Sequence, residues 1–195
     1  MSFHLRWGLS EKLRLPAAKL IYDTFERKFR YLLSPRYKGI SLIANSINPD
    51  YGLVVLQNDE LVGIGGAKDI KGELIEVGLN TWLRTYHIRV FQIMVVSGLF
   101  WFRRVQPHVL WVDNLSVVAS AQGQGIGTKM IQEFIRYGRE RGYRTLKLEV
   151  INSNTRAKAL YEHIGFEITE YTAVPLPWSH LLGFTGFYKM TYSLV

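Results

Sequence analysis

The chain has 195 residues, 48% of them hydrophobic and 21% charged, with no cysteine and a formal charge of +8 at pH 7. That length suits one domain with a substantial core, and the lack of cysteine excludes disulfides, a thiol nucleophile and a thiolate metal site. Lysines and arginines are scattered rather than run together, so the positive field reads as a solvated basic surface that favours phosphate-bearing ligands, with no nucleic acid expected as a partner.

The opening "MSFHLRWGLSEKLR" has no apolar core of the kind an export signal carries, and the expected compartment is cytoplasmic. "FHLRWGL" predicts a first strand, after which Pro16 opens a single helix with Leu20, Ile21, Phe25, Phe29 and Leu32 at helical spacing. "YGLVVLQ" and "ELVGIGGAK" flank Asn58-Asp59, the signature of a tight hairpin. The next segment, around residues 82–104, is an apolar insertion expected to be helical. It is uncharged between Arg89 and Arg103 and too short for the roughly 20 residues that cross a bilayer. With Arg84, Arg89, Arg103 and Arg104 around Phe100 and Trp101, it is a candidate wall for a substrate pocket, a subunit contact or a contact with an anionic membrane surface.

A further strand is expected in "VLWVDNLSVV". From Ile126 a helix places Met130, Ile131, Phe134 and Ile135 on one face, with Arg139 and Arg141 in its last turn and Gly142 as the stop. "TLKLEV" alternates as a half-buried strand should, and Asn154 caps a short helix that runs through His163 and ends at Gly165. "FEITEYTAV" and "GFYKMTYSL" close the chain as two strands joined by the loop "PLPWSHLLGFTG". The expected fold is one α/β or α+β domain over residues 1–195, with a mixed, mostly antiparallel sheet of about six or seven strands flanked by helices.

Gly123, Gly125 and Gly127 stand at alternate positions at the mouth of the helix that starts at Ile126. A P-loop is excluded, because the order Gly127-Thr128-Lys129 puts lysine one place too late. The dinucleotide fingerprint fails at its third glycine, where Thr128 stands. Two readings remain open on these glycines alone: a bare turn into a helix, or a turn whose free N–H groups and positive dipole end hold a diphosphate.

Two longer segments bear on that choice. "DNLSVVASAQGQGIGTKM" carries Gln122, Gly125 and Gly127 in the pattern Q/R-x-x-G-x-G/A. "NTRAKALYEHIGF" carries Asn154, Ala157, Leu160, Tyr161, Gly165 and Phe166 in the pattern N-x-x-A-x-x-L-Y-x-x-x-G-F. In this order and spacing they resemble the signatures of the GNAT superfamily of acyl-CoA-dependent N-acetyltransferases, over roughly residues 50–170. One departure is visible: Ala119 stands where the family usually has proline.

The resemblance implies a GNAT-like domain and an acetyl-CoA cofactor bound without a metal. Amides of Gln122, Gly123, Gln124, Gly125, Ile126, Gly127 and Thr128 would hold the coenzyme A diphosphate. The strand at Leu115, Ser116 and Val117 would pair with the pantetheine arm and polarise the thioester carbonyl, with Asn154 and Ala157 alongside and Tyr161 facing the sulfur. An amine attacking a thioester needs a donor for the carbonyl oxygen and a proton for the leaving thiolate, and a phenol supplies the latter. Asp113 is the first candidate for the base that accepts the amine proton, Glu149 the second and Glu76 the third. The implied acceptor is a small-molecule or peptide amine, and the chain is expected to be a monomer or homodimer. The alternatives are a catalytically silent coenzyme A-binding module and a basic nucleic-acid or membrane-surface binder.

Overall fold

The computed structural model describes residues 3–87 and 105–195. Among these residues seven strands form one sheet in the order β1-β2-β3-β4-β5-β7-β6. They are β1 (His4–Trp7), β2 (Gly52–Gln57), β3 (Glu60–Lys68), β4 (Val109–Val117), β5 (Thr145–Ile151), β6 (Glu167–Ala173) and β7 (Gly186–Ser193). All neighbours are antiparallel except β4 and β5, which run parallel, so the expected mixed sheet is present with seven strands. Positive φ at both Asn58 (51°) and Asp59 (63°) closes the β2–β3 hairpin, as a two-residue turn with two left-handed residues requires.

Every strand but β6, which is exposed along almost its whole length, sends residues into one or both of two cores. On the first face, α1 (Arg14–Thr24), α2 (Glu26–Leu32), α3 (Arg36–Ser46) and α4 (Leu79–Tyr86) bury Ile21, Phe29, Ile43 and Tyr86 against Val54, Leu56 and Ile64. On the second, α5 (Ile126–Glu140) and α6 (Thr155–Ile164) bury Met130, Ile131, Phe134 and Tyr161 against Leu53, Val55, Leu110, Val112, Leu146, Leu148 and Met190. α5 lies close to β3 because Gly65 leaves room for it: a Cβ there would stand 2.9 Å from the Phe134 ring.

Several expectations need correction. The single helix after Pro16 is two helices, and the first begins at Arg14. The chain bends at Phe25 (φ −107°, ψ 26°), which keeps both Phe29 and Leu32 buried. α3 was not expected at all. Its Gly39 packs so close to α1 that a Cβ would meet the Leu33 carbonyl and the Tyr22 ring at 2.6 Å, so a residue that weakens helical propensity is there for packing. The loop between β6 and β7 contains a one-turn helix, α7 (Trp178–Leu182). Of the apolar insertion, residues 82–86 belong to α4, with Trp82 half-buried and Tyr86 buried, while Arg89, Phe100, Trp101, Arg103 and Arg104 lie outside the described residues. Among the described residues no helix is long and apolar enough to cross a membrane.

Candidate functional site

The sheet opens along its one parallel seam. β4 and β5 pair from Val109↔Thr145 to Val112↔Leu148 and no further. Beyond that point β4 stays on β3, through Gly66↔Asp113, Ile64↔Ser116 and Gly63↔Val117. β5 stays on β7, through Glu149↔Lys189, Val150↔Tyr188 and Ile151↔Phe187. Residues 114–117 therefore have no strand opposite them on the side away from β3 among the described residues, and main-chain groups facing that gap take partners other than a strand.

A β-bulge marks the start of the opening. Between the pairs Gly66↔Asp113 and Ile64↔Ser116, β4 spends one residue more than β3, and Asn114 takes a left-handed φ of 54°. Leu110 and Val112 face α5 before the bulge. Leu115 and Val117 pack against the same core after it, so the extra residue changes the phase of the strand. Ser116 is buried, and its hydroxyl donates to the Asn114 carbonyl at 3.3 Å. The bulge was not legible in the sequence; the one hint was an Asp-Asn pair inside an apolar strand, because asparagine tolerates the left-handed region better than most residues.

The glycine turn lies at the far end of the opened strand. Val117 accepts from the Gln122 side-chain amide at 3.1 Å, and Ser120 accepts from that of Gln124 at 3.3 Å, so two side chains fold back on the turn and leave its main chain outward. Gly123 (φ 82°) and Gly125 (φ 79°) are left-handed, and Gly125 is the N-cap of α5 without any side-chain cap. The amides of the first turn of α5 thus lack intrahelical acceptors, and no acidic residue stands in that turn. A Cβ on Gly125 would meet nothing within 4 Å, so the turn is open on that side.

α6 closes the other flank. Asn154 caps it by accepting from the Ala157 amide at 3.1 Å, and Leu160 packs 3.4 Å from where a Cβ on Gly127 would lie. One helical turn beyond Ala157, Tyr161 is buried at 7% exposure, its ring 5.9 Å from that of Phe166. Burial pushes its phenol up to about 12. Its hydroxyl makes no hydrogen bond among the described residues, so the proton is both retained and uncommitted.

The two leading carboxylate candidates stand where the seam parts. Asp113 follows Val112 and Glu149 follows Leu148, the last paired residues of the two strands. Both are half-buried. Because Leu148 and Val150 face α5, Glu149 points to the opposite face, as does Lys147, whose ammonium lies 5.9 Å from the Trp111 ring. Glu76 is placed elsewhere. It sits in the loop between β3 and α4, where its Oε1 accepts from the Glu73 amide at 2.9 Å and from the Asn48 side chain at 3.3 Å, so it braces that loop rather than flanking the seam. Arg156, which sequence reasoning passed over, reaches from the first turn of α6 to the glycine turn, with Nη2 3.6 Å from a Cβ position on Gly123. Among the described residues no group of three His, Asp or Glu side chains comes together to hold a metal ion.

The model of the acetyltransferase (GNAT) family matches residues 18–166. The chain is 34% identical over 79 residues to a probable N-acetyltransferase camello of Xenopus laevis, covering 40% of this chain and 36% of that protein. It is 43% identical over 53 residues to the [ribosomal protein bS18]-alanine N-acetyltransferase of Haemophilus ducreyi, covering 27% and 37%. These alignments span little more than a third of either relative's length. Solved structures agree on the fold: the ribosomal-protein-S18-alanine N-acetyltransferase of Escherichia coli superposes with a TM-score of 0.60 at 20% identity, covering 99% of this chain and 94% of that one. The acetyltransferase yncA of Salmonella typhimurium, described as putative and solved with acetyl-CoA, superposes with a TM-score of 0.59 at 12% identity, covering 100% and 95%. Because the family model takes in the parted seam, the glycine turn and both helices beside it, this chain belongs to the GNAT family of acetyltransferases.

Proposed function

We propose that this chain transfers an acetyl group from acetyl-CoA to a primary amine, by direct attack of the amine while both substrates are bound. The observation that carries the reading is the opened seam: a strand end with no strand opposite it among the described residues leads to a left-handed glycine turn that caps a helix without any acidic side chain. That combination fits an extended amide-bearing arm ending in phosphates. The strand offers N–H and C=O groups to the arm, and the turn offers free amides and a dipole end to the anion.

When bound, acetyl-CoA supplies an activated acyl carbon and a thiolate leaving group. Amides of Gln122 through Thr128 hold the phosphate end, while Leu115, Ser116 and Val117 orient the arm as an added strand would. An N–H on this stretch of β4 donates to the carbonyl oxygen as negative charge grows there, a fixed dipole that needs no reorganisation. Asn154 and Ala157 line the opposite flank. Tyr161 keeps its proton across the neutral range, since burial raises it to about 12, and its uncommitted hydroxyl donates to the departing sulfur. Asp113 or Glu149 takes the proton from the incoming ammonium, directly or through water. With no cysteine in the chain, an acyl-cysteine route is excluded.

The test is release of free thiol from acetyl-CoA, followed with a panel of primary amines. A peptide with an N-terminal alanine leads the panel, because a relative is named for that acceptor. Acceptor-dependent thiol release supports transfer. Binding of coenzyme A with no release on any amine would favour the silent module instead.

A further inference from the structure

Neither sequence motif specifies Arg156, a full charge that α6 brings to the glycine turn. Arg156 lies between Asn154 and Ala157 in the first turn of α6, and its guanidinium reaches to Gly123. It is exposed, and among the described residues it has no carboxylate, ring or hydrogen-bond partner. Lys158 pairs with Glu162 at 2.6 Å, and Arg136 with both Glu133 and Glu140 at 2.5 Å, whereas Lys129, in the first turn of α5, is exposed like Arg156.

Stability alone does not explain a cation at this position. A helix N-terminus is the positive end of the backbone dipole and favours acidic side chains, yet the first turns of both α5 and α6 contain none. The two N-termini also converge, with Leu160 packed at Gly127 and Arg156 at Gly123. Two positive dipole ends and one unpaired guanidinium thus share a single locus. An anion placed there relieves all three at once, and the planar guanidinium suits phosphate oxygens.

Building on the reading of the site as a coenzyme A site, we propose that Arg156 binds a phosphate of the cofactor and makes its affinity depend on the phosphorylated end. Isothermal titration calorimetry with coenzyme A tests this directly. Arg156→Gln is expected to weaken binding by about ten-fold, as loss of a charge-assisted hydrogen bond should, and Arg156→Lys to recover part of the loss. The ligand-free Tm of Arg156→Gln stays level or rises, because a cation leaves a helix N-terminus. Acetyl-pantetheine, which lacks every phosphate, should be used with the same KM by wild type and variant.

Dephospho-coenzyme A separates the two phosphate sources. A loss shared with coenzyme A assigns Arg156 to the diphosphate, and a loss confined to coenzyme A assigns it to the ribose phosphate; either supports the proposal. Equal affinity of wild type and Arg156→Gln for coenzyme A overturns it. So does an equal loss toward coenzyme A and acetyl-pantetheine, which would make the side chain structural. A wild-type protein that takes up no coenzyme A brings down the underlying reading as well, an outcome distinct from a variant that binds like wild type.

Discussion

Replacing Tyr161 by phenylalanine removes one oxygen and separates chemistry from folding. The ring is 7% exposed and its hydroxyl has no partner among the described residues. Near neutral pH the substitution should therefore change stability by less than about 1 kcal/mol, because no intramolecular hydrogen bond is lost. Alkaline pH should tell the two proteins apart. The folded phenol is raised to about 12, whereas an unfolded tyrosine ionises near ~10, so its contribution to stability is complete below the unfolded value and disappears as pH rises through the folded one. Two units correspond to about 3 kcal/mol in full, and roughly half of that is gone by about pH 11. Urea unfolding at neutral pH and again near pH 11 should show wild type losing about 1.4 kcal/mol more than Tyr161→Phe. In turnover, loss of the proton donor should lower kcat on the order of 10²-fold and leave KM for acetyl-CoA near its original value. A donor with a more acidic thiol should narrow that gap, since its thiolate leaves with less help. Wild-type kcat in the variant would refute the role of the hydroxyl, and identical alkaline losses in the two proteins would refute its burial.

Other perturbations probe the remaining parts. Gly125→Ala costs only the left-handed backbone, about 1–2 kcal/mol, because its Cβ meets nothing within 4 Å; its Kd for coenzyme A should rise at least about ten-fold, and an unchanged Kd would remove the turn from the site. Asp113→Asn and Glu149→Gln should divide cleanly, with one lowering kcat/KM on the order of 10²-fold and the other leaving it near the wild-type value; wild-type kcat/KM in both would exclude both carboxylates as the base. Asp69 is a purely structural case: its carboxylate accepts from Tyr51 Oη at 3.0 Å, from Tyr143 Oη at 2.5 Å and from the amides of Lys71 and Gly72. Burial opposes its ionisation, but these donors outweigh burial and hold the carboxyl below the usual aspartate range. Asp69→Ala should cost on the order of 2–4 kcal/mol in urea unfolding near pH 7, with little change in Kd for coenzyme A. The stability that Asp69 supplies in wild type is present above the usual aspartate pKa and is lost as pH falls through its lowered folded value; an acid limb unchanged in Asp69→Ala would contradict this.

Much of the site was written locally in the sequence. The left-handed glycines, the Asn154 cap and the stop at Gly165 are conformational requirements that particular residues meet within a few positions, so they survive folding unchanged. The hairpin at Asn58-Asp59 was legible for the same reason. What sequence did not reveal depends on distant partners. The parting of β4 from β5 follows from which strand each keeps on its other side, and the bulge at Asn114 appears only against the register of β3. α3 was hidden because Gly39, which argues against a helix in isolation, is fixed by contact with Tyr22 and Leu33. Arg156 fell among unspecified motif positions, and its significance emerges only when α6 is seen beside the glycine turn.

Backbone amide chemical shifts, followed by NMR while coenzyme A is added to the purified protein, examine the cofactor site atom by atom. The expected result is a saturable titration with the largest changes at Gly123 to Thr128 and at Leu115 to Val117, and weaker ones through the first turn of α6. No change on titration, or changes confined to residues away from β4 and the head of α5, would contradict it.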